Sequence, residues 1–223
     1  MVKAGLEPTE AADLIKAQLG LDPTLNLQTF DSLRAVGQDL SLGLTVYLAH
    51  IQVQALFNQS LAFVDGLQGE QANPENVQLV QQSFAEFLQN RATATPEAAP
   101  YDLASQDDIQ AFFASLANEF GLTATTAQLE TAANIISHSN QLIDDVSAVG
   151  ASKSVGAALP ALAAVKRVTQ GDIATLEGQL AAGTLTTSET QATFADTIHQ
   201  HYLLVDSDIN AFGNRSVAIK PAT

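Results

Sequence analysis

Residues 186–213, TTSETQATFADTIHQHYLLVDSDINAFG, decide the fold class. Within them Phe194, Ile198, Tyr202, Val205, Ile209 and Phe212 follow one another at intervals of four, four, three, four and three. Such spacing draws one apolar stripe down a helix, close to a heptad repeat. Thr186 with Glu189 three residues later forms a capping box at its start. Gly213 is a natural stop. No stretch of the chain alternates apolar and polar residues with comparable regularity, so the spacing predicts an all-α protein.

Working back from that helix, the same signals recur. Residues 153–182 are rich in alanine and broken by Gly156, Pro160, Gly171 and Gly178, which reads as two helices or one kinked helix. A helix over about 125–149 carries Leu129, Ala132, Ile136, Ile143 and Val146, with Gly150 as its terminator. Ser105 and Asp108 resemble a capping box before Ile109, Phe112, Phe113, Leu116 and Phe120, and Gly121 stops that helix. Asn73-Pro74 supplies an N-cap followed by proline at the first helical position. Behind it Val77, Val80, Phe84, Phe87 and Leu88 share a face, with Arg91 in the last turn. A long helix over about 39–67 is marked by Leu40, Leu44, Tyr47, Leu48, Ile51, Ala55, Leu61 and Val64, and Gly66 and Gly69 end it. The first helix runs from about Glu7 to Leu19, with Pro8 in its first turn and Gly20 after its last. Between these two, Leu25 and Leu27 alternate with polar residues as a short extended stretch, and Thr29-Phe30-Asp31-Ser32 reads as the cap of a short helix ending near Gly37. The expectation is a bundle of about seven to eight amphipathic helices.

The loop at 92–104, ATATPEAAPYDLA, contains Pro96 and Pro100, which forbid a continuous helix. It divides the chain into an N-terminal helical half, 1–91, and a C-terminal helical half, 105–213. One combined domain is the alternative, and 214–223 read as a tail entering a linker. The two ends suggest an excised piece of a longer protein.

The composition narrows the function. Hydrophobic residues make up 46% of the 223, enough to build a core. The net charge is −15, from 24 acidic against 9 basic residues, which disfavours nucleic acid and anionic membranes as partners. Without cysteine there is no disulfide, thiolate nucleophile or cysteine-based zinc site. No run reaches the length of a membrane span, so no membrane insertion is expected.

Candidate chemistry is sparse. His199 and His201 stand two apart and do not share a helix face, unlike the i, i+4 pair of helical metal sites. A metal site would need His50, His138 and one of that pair to converge. Asp206, Asp208 and Asn210 alternate like the start of a calcium loop. The pattern then departs from it, with Ala211 in place of the sixth-position glycine and Val217 in place of the twelfth-position glutamate. These three residues are the candidate calcium ligands; no other cofactor is expected. The glycine- and serine-containing run 150–156 lacks both the spacing of a phosphate loop and a preceding strand, and reads as an interhelical turn. No serine-nucleophile signature occurs, and no catalytic residue is assigned.

Three strings in residues 6–67 carry a resemblance: Leu14-Ile15-Lys16-Ala17-Gln18-Leu19-Gly20-Leu21, then Leu25-Asn26-Leu27-Gln28-Thr29-Phe30-Asp31-Ser32, then Ala49-His50-Ile51-Gln52-Val53-Gln54. Together this quarter of the chain resembles a helical module of large bacterial secreted and surface proteins. Those proteins often carry cadherin-like or haemolysin-type calcium-binding repeats elsewhere. In the module a helix ending in LGL is followed by a turn of the form dL-x-T-[FY]-D-P and a long helix containing a-x-Q-V-Q; here Ser32 replaces the common proline. The resemblance implies a non-catalytic structural or interaction module, with a spacer or adhesion role, in a secreted or cell-surface protein. Its partners would be other domains of the same polypeptide or other surface proteins. It also implies that Gly20 caps a helix, that Leu21, Leu27 and Phe30 pin the turn to the core, and that Gln52 and Gln54 flank core-facing Ile51 and Val53. The competing expectation is a helical domain that binds a small molecule or calcium in a closed, Phe- and Leu-lined pocket between helices.

Overall fold

The computed structural model describes residues 7–36, 40–69, 73–95, 99–153 and 155–198. Among them the structure is all helical and without strands. The elements are α1 (Pro8–Gln18), α2 (Ser32–Val36), α3 (Leu40–Gln68), α4 (Pro74–Ala94), α5 (Gln106–Glu119), α6 (Thr126–Lys153), α7 (Val155–Gln170) and α8 (Asp172–Ala181). Residues 187–198 are the described part of a further helix, α9. The expected all-α bundle is the architecture found.

Local signals explain most boundaries. Asn73 caps α4 by accepting the Glu75 amide at 3.0 Å, with Pro74 at the first helical position. Thr186 and Glu189 close a reciprocal capping box, each side chain taking the other's backbone N–H. Ser105 accepts the Asp108 amide, but Asp108 turns its own carboxylate to the Asp102 amide, too short to complete the box as glutamate would. Gly20 and Gly69 take φ values of +62° and +68°, left-handed conformations that end α1 and α3 at little steric cost.

Three boundaries differ from the sequence expectation. Gly66 does not end α3, which continues to Gln68. α6 runs through Gly150 to Lys153, and α7 begins at Val155 and contains both Gly156 and Pro160. Pro160, the sixth residue of α7, forgoes the bond that another residue's N–H would make to the Gly156 carbonyl, and the helix continues past it. Leu25 and Leu27 lie in a chain of turns and not in an extended stretch. Asp22 and Asn26 draw the backbone N–H groups two residues on, at 2.8 and 3.1 Å, and curl the segment locally.

α3 is the axis of the bundle. It packs on α2, α4, α6, α7 and α8, so apolar residues lie all round it, as a central helix requires. Its C-terminal half meets α4, α5, α6 and α8 in one cluster that includes Leu56, Phe63, Val64, Phe84, Phe112, Phe113, Ile136 and Leu180. Tyr101 and Leu103, from the segment between α4 and α5, are buried in the same cluster, so residues of both helical halves share it. Phe84, Phe87, Tyr101, Phe112 and Phe113 pack mostly edge to face, with centroids 5.1–6.0 Å apart. The N-terminal half of α3 joins Leu142, Ile143, Leu162 and Val165 in a second cluster.

α3 and α8 cross at backbone-to-backbone range. A Cβ built on Gly66 would overlap the Gly178 carbonyl oxygen and stand 2.9 Å from the Ala181 Cβ, while one on Gly178 would stand 3.2 Å from the Ala62 carbonyl oxygen. The small residues Ala62, Gly66, Gly178 and Ala181 thus allow backbone-to-backbone approach. Beside them Glu177 is completely buried, and neither of its carboxylate oxygens has a hydrogen-bond partner. Burial pushes its carboxyl pKa up to about 8.

Neutral amides cross-link the remaining contacts. Gln52 donates to the Asn140 carbonyl and to Asp144 at 3.2 and 3.0 Å, Gln59 donates to the Thr169 carbonyl at 3.0 Å, and Gln170 donates to Gln54 at 3.2 Å. The two glutamines of the A-x-Q-V-Q string therefore hold α6 and α7 against α3.

Candidate functional site

The first helix packs along one side of the bundle, with Ala11 and Gln18 buried and Leu19 against the main core cluster. α1 touches α4, and the turns that follow it lead to α2, which packs on α3. Two fastenings hold this arm. The Tyr101 amide donates to the Gln18 carbonyl at 2.6 Å. Arg91 donates to the Gln18 side chain at 3.2 Å and to the Ala99 carbonyl at 2.7 Å, and pairs with Asp108 at 3.7 Å. Its guanidinium also lies 6.0 Å from the Tyr101 ring centre, within cation–π range. Lys16 is turned inward, bound to the Pro23 carbonyl and to Asp13 at 2.7 Å each.

Between this arm and the faces of α3 and α4 lie two adjoining hollows of about 600 and 480 Å³. They share Ile15 and Leu19 of the α1 region and Val53 of α3, so they form one groove. The larger hollow is lined by Leu21, Leu27 and Phe30 from the turns and by Val46, Tyr47, Ala49 and His50 from α3. The smaller is lined by Phe57 and by Phe84, Ala85 and Leu88 of α4, with Gln78, Gln81 and Gln82 at its edge. Ile15, Leu19, Val53 and Phe57 are half-buried, so the groove faces water while its deepest side chains, Phe84 and Leu88, belong to the core. His50 is held below the usual imidazole range, first by desolvation and then by the nearby charge of Lys166. Asp31, which also lines the groove, accepts the Arg34 amide at 3.0 Å.

The motif residues of the N-terminal quarter fall into two groups. Leu21 is buried and Ile51 is inaccessible to solvent, as expected of residues pinned to the core. Leu27, Phe30 and Val53 are half-buried and line the groove. The sequence did carry a signal for this: Val46, Ala49, Val53 and Phe57, spaced three, four and four, form a second apolar stripe on α3.

Of the candidate metal residues, His50 and His138 lie among the described residues. His138 is exposed, with Nδ1 2.9 Å from the Asn134 carbonyl and its ring 6.4 Å from that of Phe194. It lies on α6, and His50 on α3. His199, His201 and the calcium candidates Asp206, Asp208 and Asn210 lie outside the described residues, as do Tyr202, Val205, Ile209 and Phe212 of the last stripe. Among the described residues no three histidine or carboxylate side chains are grouped to hold a metal ion. No described helix is long and apolar enough to cross a membrane.

No protein-family model, no curated protein and no solved structure matches this chain.

Proposed function

We propose that the chain is a non-catalytic structural and interaction module, and that the groove beside α1 is its interaction site. The groove is the observation that carries this reading. It exposes apolar side chains that a module acting only as a spacer would bury. It also gathers Leu27, Phe30 and Val53, residues of the strings that resemble modules of large bacterial secreted and surface proteins. That resemblance supports a setting in a larger extracellular or cell-surface protein, in contact with other domains of that polypeptide or with other surface proteins. The acidic composition is compatible with this setting.

A second reading, a small-molecule-binding helical domain, is favoured by the size of the two hollows, which fall in the range of ligand pockets. Both readings need the groove to accept an apolar group, and one experiment tests that requirement. The neutral dye N-phenyl-1-naphthylamine is expected to bind the folded protein with a blue-shifted rise in fluorescence. Val53→Arg places a charge in the floor shared by both hollows. It is expected to weaken dye binding by about ten-fold or more, because burying one such apolar group contributes on the order of 1.5–3 kcal/mol. Dye binding that is absent, or unchanged in the variant, would sink the proposal.

A further inference from the structure

The α3–α8 crossing holds an ionisable group that the groove does not use. Glu177 of α8 is completely buried beside the close approach of Ala62 and Gly66 to Gly178, and neither carboxylate oxygen has a hydrogen-bond partner. The amides that bond to this part of the bundle are engaged elsewhere. Gln59 donates to the Thr169 carbonyl, and Gln128 to the Leu180 and Ala181 carbonyls. Burial alone acts on the Glu177 carboxyl, with no charged side chain contributing. The elements packed on α8 are α3, α6 and α7, with Phe194 and Ile198 of α9 against Ile173 and Leu176. On α3, Asp65 is bonded to Asn76. On α7, Lys166 bears on His50 of α3, and Arg167 is exposed. Glu130, His138, Asp144 and Asp145 of α6 are exposed, as are Asp172 of α8 and Glu189 and Asp196 of α9. A neutral acid is tolerated in such a place, and a carboxylate without water or donor is not.

α8 is suited to move as a unit. It has ten residues, Gly171 and Gly183 flank it, and its N-cap makes no side-chain bond. α3 keeps α2, α4, α6 and α7 on its other sides. We propose that Glu177 is a proton-operated latch: when its carboxyl ionises, α8 leaves α3 as a unit and the carboxylate meets water, while the helices on the other sides of α3 stay packed. Burial of Ile173, Leu176 and Leu180 opposes the opening, so the open form is a minor one whose population grows with pH. Between pH 4.5 and about 8 each pH unit raises that population by about ten-fold, because the open form has released a proton that the closed form retains. The latch is independent of the groove and of the interaction assigned to it.

Amide hydrogen exchange of the whole chain, followed by mass spectrometry from pH 5 to 8, tests this. After correction for the chemical exchange rate, protection of the α8 amides is expected to fall by about ten-fold per pH unit. Dilute urea is expected to leave α8 exchange nearly unchanged and to speed exchange in α5, which opens only with the whole fold. Glu177→Gln and Glu177→Met cannot ionise, and each is expected to flatten the pH dependence in α8. Protection of α8 that is independent of pH in the wild type overturns the inference, since the carboxylate then finds water or a donor without helix movement. Exchange in α8 as sensitive to urea as that in α5 also overturns it, because the release is then global unfolding. So does a pH slope retained in a folded variant. The two wild-type readings decide the matter even if both variants fold poorly.

Discussion

Gly66→Ala is expected to destabilise the protein, although helix propensity alone says the opposite. In an exposed helix interior, replacing glycine by alanine stabilises by about 1 kcal/mol. Gly66 lies inside α3, where a Cβ would collide with the Gly178 carbonyl oxygen and crowd Ala181 of α8. Backbone on the far side cannot rotate out of the way as a flexible side chain could, so α3 and α8 must separate. Overpacking of this kind costs about 1–3 kcal/mol, and Gly66→Leu should cost more. For a chain of this size each kcal/mol moves Tm by about 2–4 °C, so the alanine variant should melt several degrees lower and the leucine variant lower again. Thermal unfolding followed by circular dichroism reads the sign directly. A rise in Tm for Gly66→Ala would mean that the two helices do not approach as described.

The second large effect concerns Glu177. Its carboxyl is fully buried without a hydrogen-bond partner, and its pKa stands at about 8 against an ordinary 4.5. The folded protein therefore holds a proton between pH 4.5 and 8 that the unfolded chain has released. Stability from this group is full below about pH 4.5 and is lost as pH rises toward 8. At 1.36 kcal/mol per pKa unit the loss reaches at most about 5 kcal/mol. Glu177→Met keeps a similar side-chain length and removes the ionisable group. The variant should match the wild type in acid and become progressively more stable than it up to about pH 8. Urea unfolding across that range checks this through the difference between the two proteins, which cancels the general effect of the chain's other carboxylates. Parallel pH profiles would show that Glu177 reaches water or a partner when ionised.

Much of the fold could be read from the sequence because its signals are local. The Asn73-Pro74 start of α4 and the Thr186–Glu189 box depend on residues within one turn, and the structure contains both. Glycine was read less well, because its meaning depends on what lies opposite. Gly66 and Gly178 looked like helix ends or breaks, yet they lie within α3 and α8 where the two backbones cross. Gly150 likewise lies within α6. The groove was hidden for a related reason. α3 carries apolar residues on several faces, and periodicity cannot say which face is covered by a neighbour and which is left open beside α1. Leu27 and Phe30 looked like core anchors, and their half-buried state follows from the hollow they line between the turns and α3, a tertiary fact with no local signature. The buried Glu177 was also invisible, since a glutamate on a short helix that also carries Asp172, Thr175 and Gln179 reads as a solvated position.

The amide cross-links between α3, α6 and α7 bear on how this protein meets its solvent. The ion pairs Lys16–Asp13 and Arg91–Asp108 lie outside the contacts of α3 with α6 and α7, where Gln54, Gln59 and Gln170 bond neutral partners and Gln52 reaches the Asn140 carbonyl as well as the Asp144 carboxylate. Ionic strength screens charges and leaves neutral amide contacts largely alone. In a chain of net charge −15, added salt therefore weakens the mutual repulsion of surface carboxylates and takes little from the fastening inside. Unfolding measured at rising salt is therefore expected to show a Tm that holds or climbs.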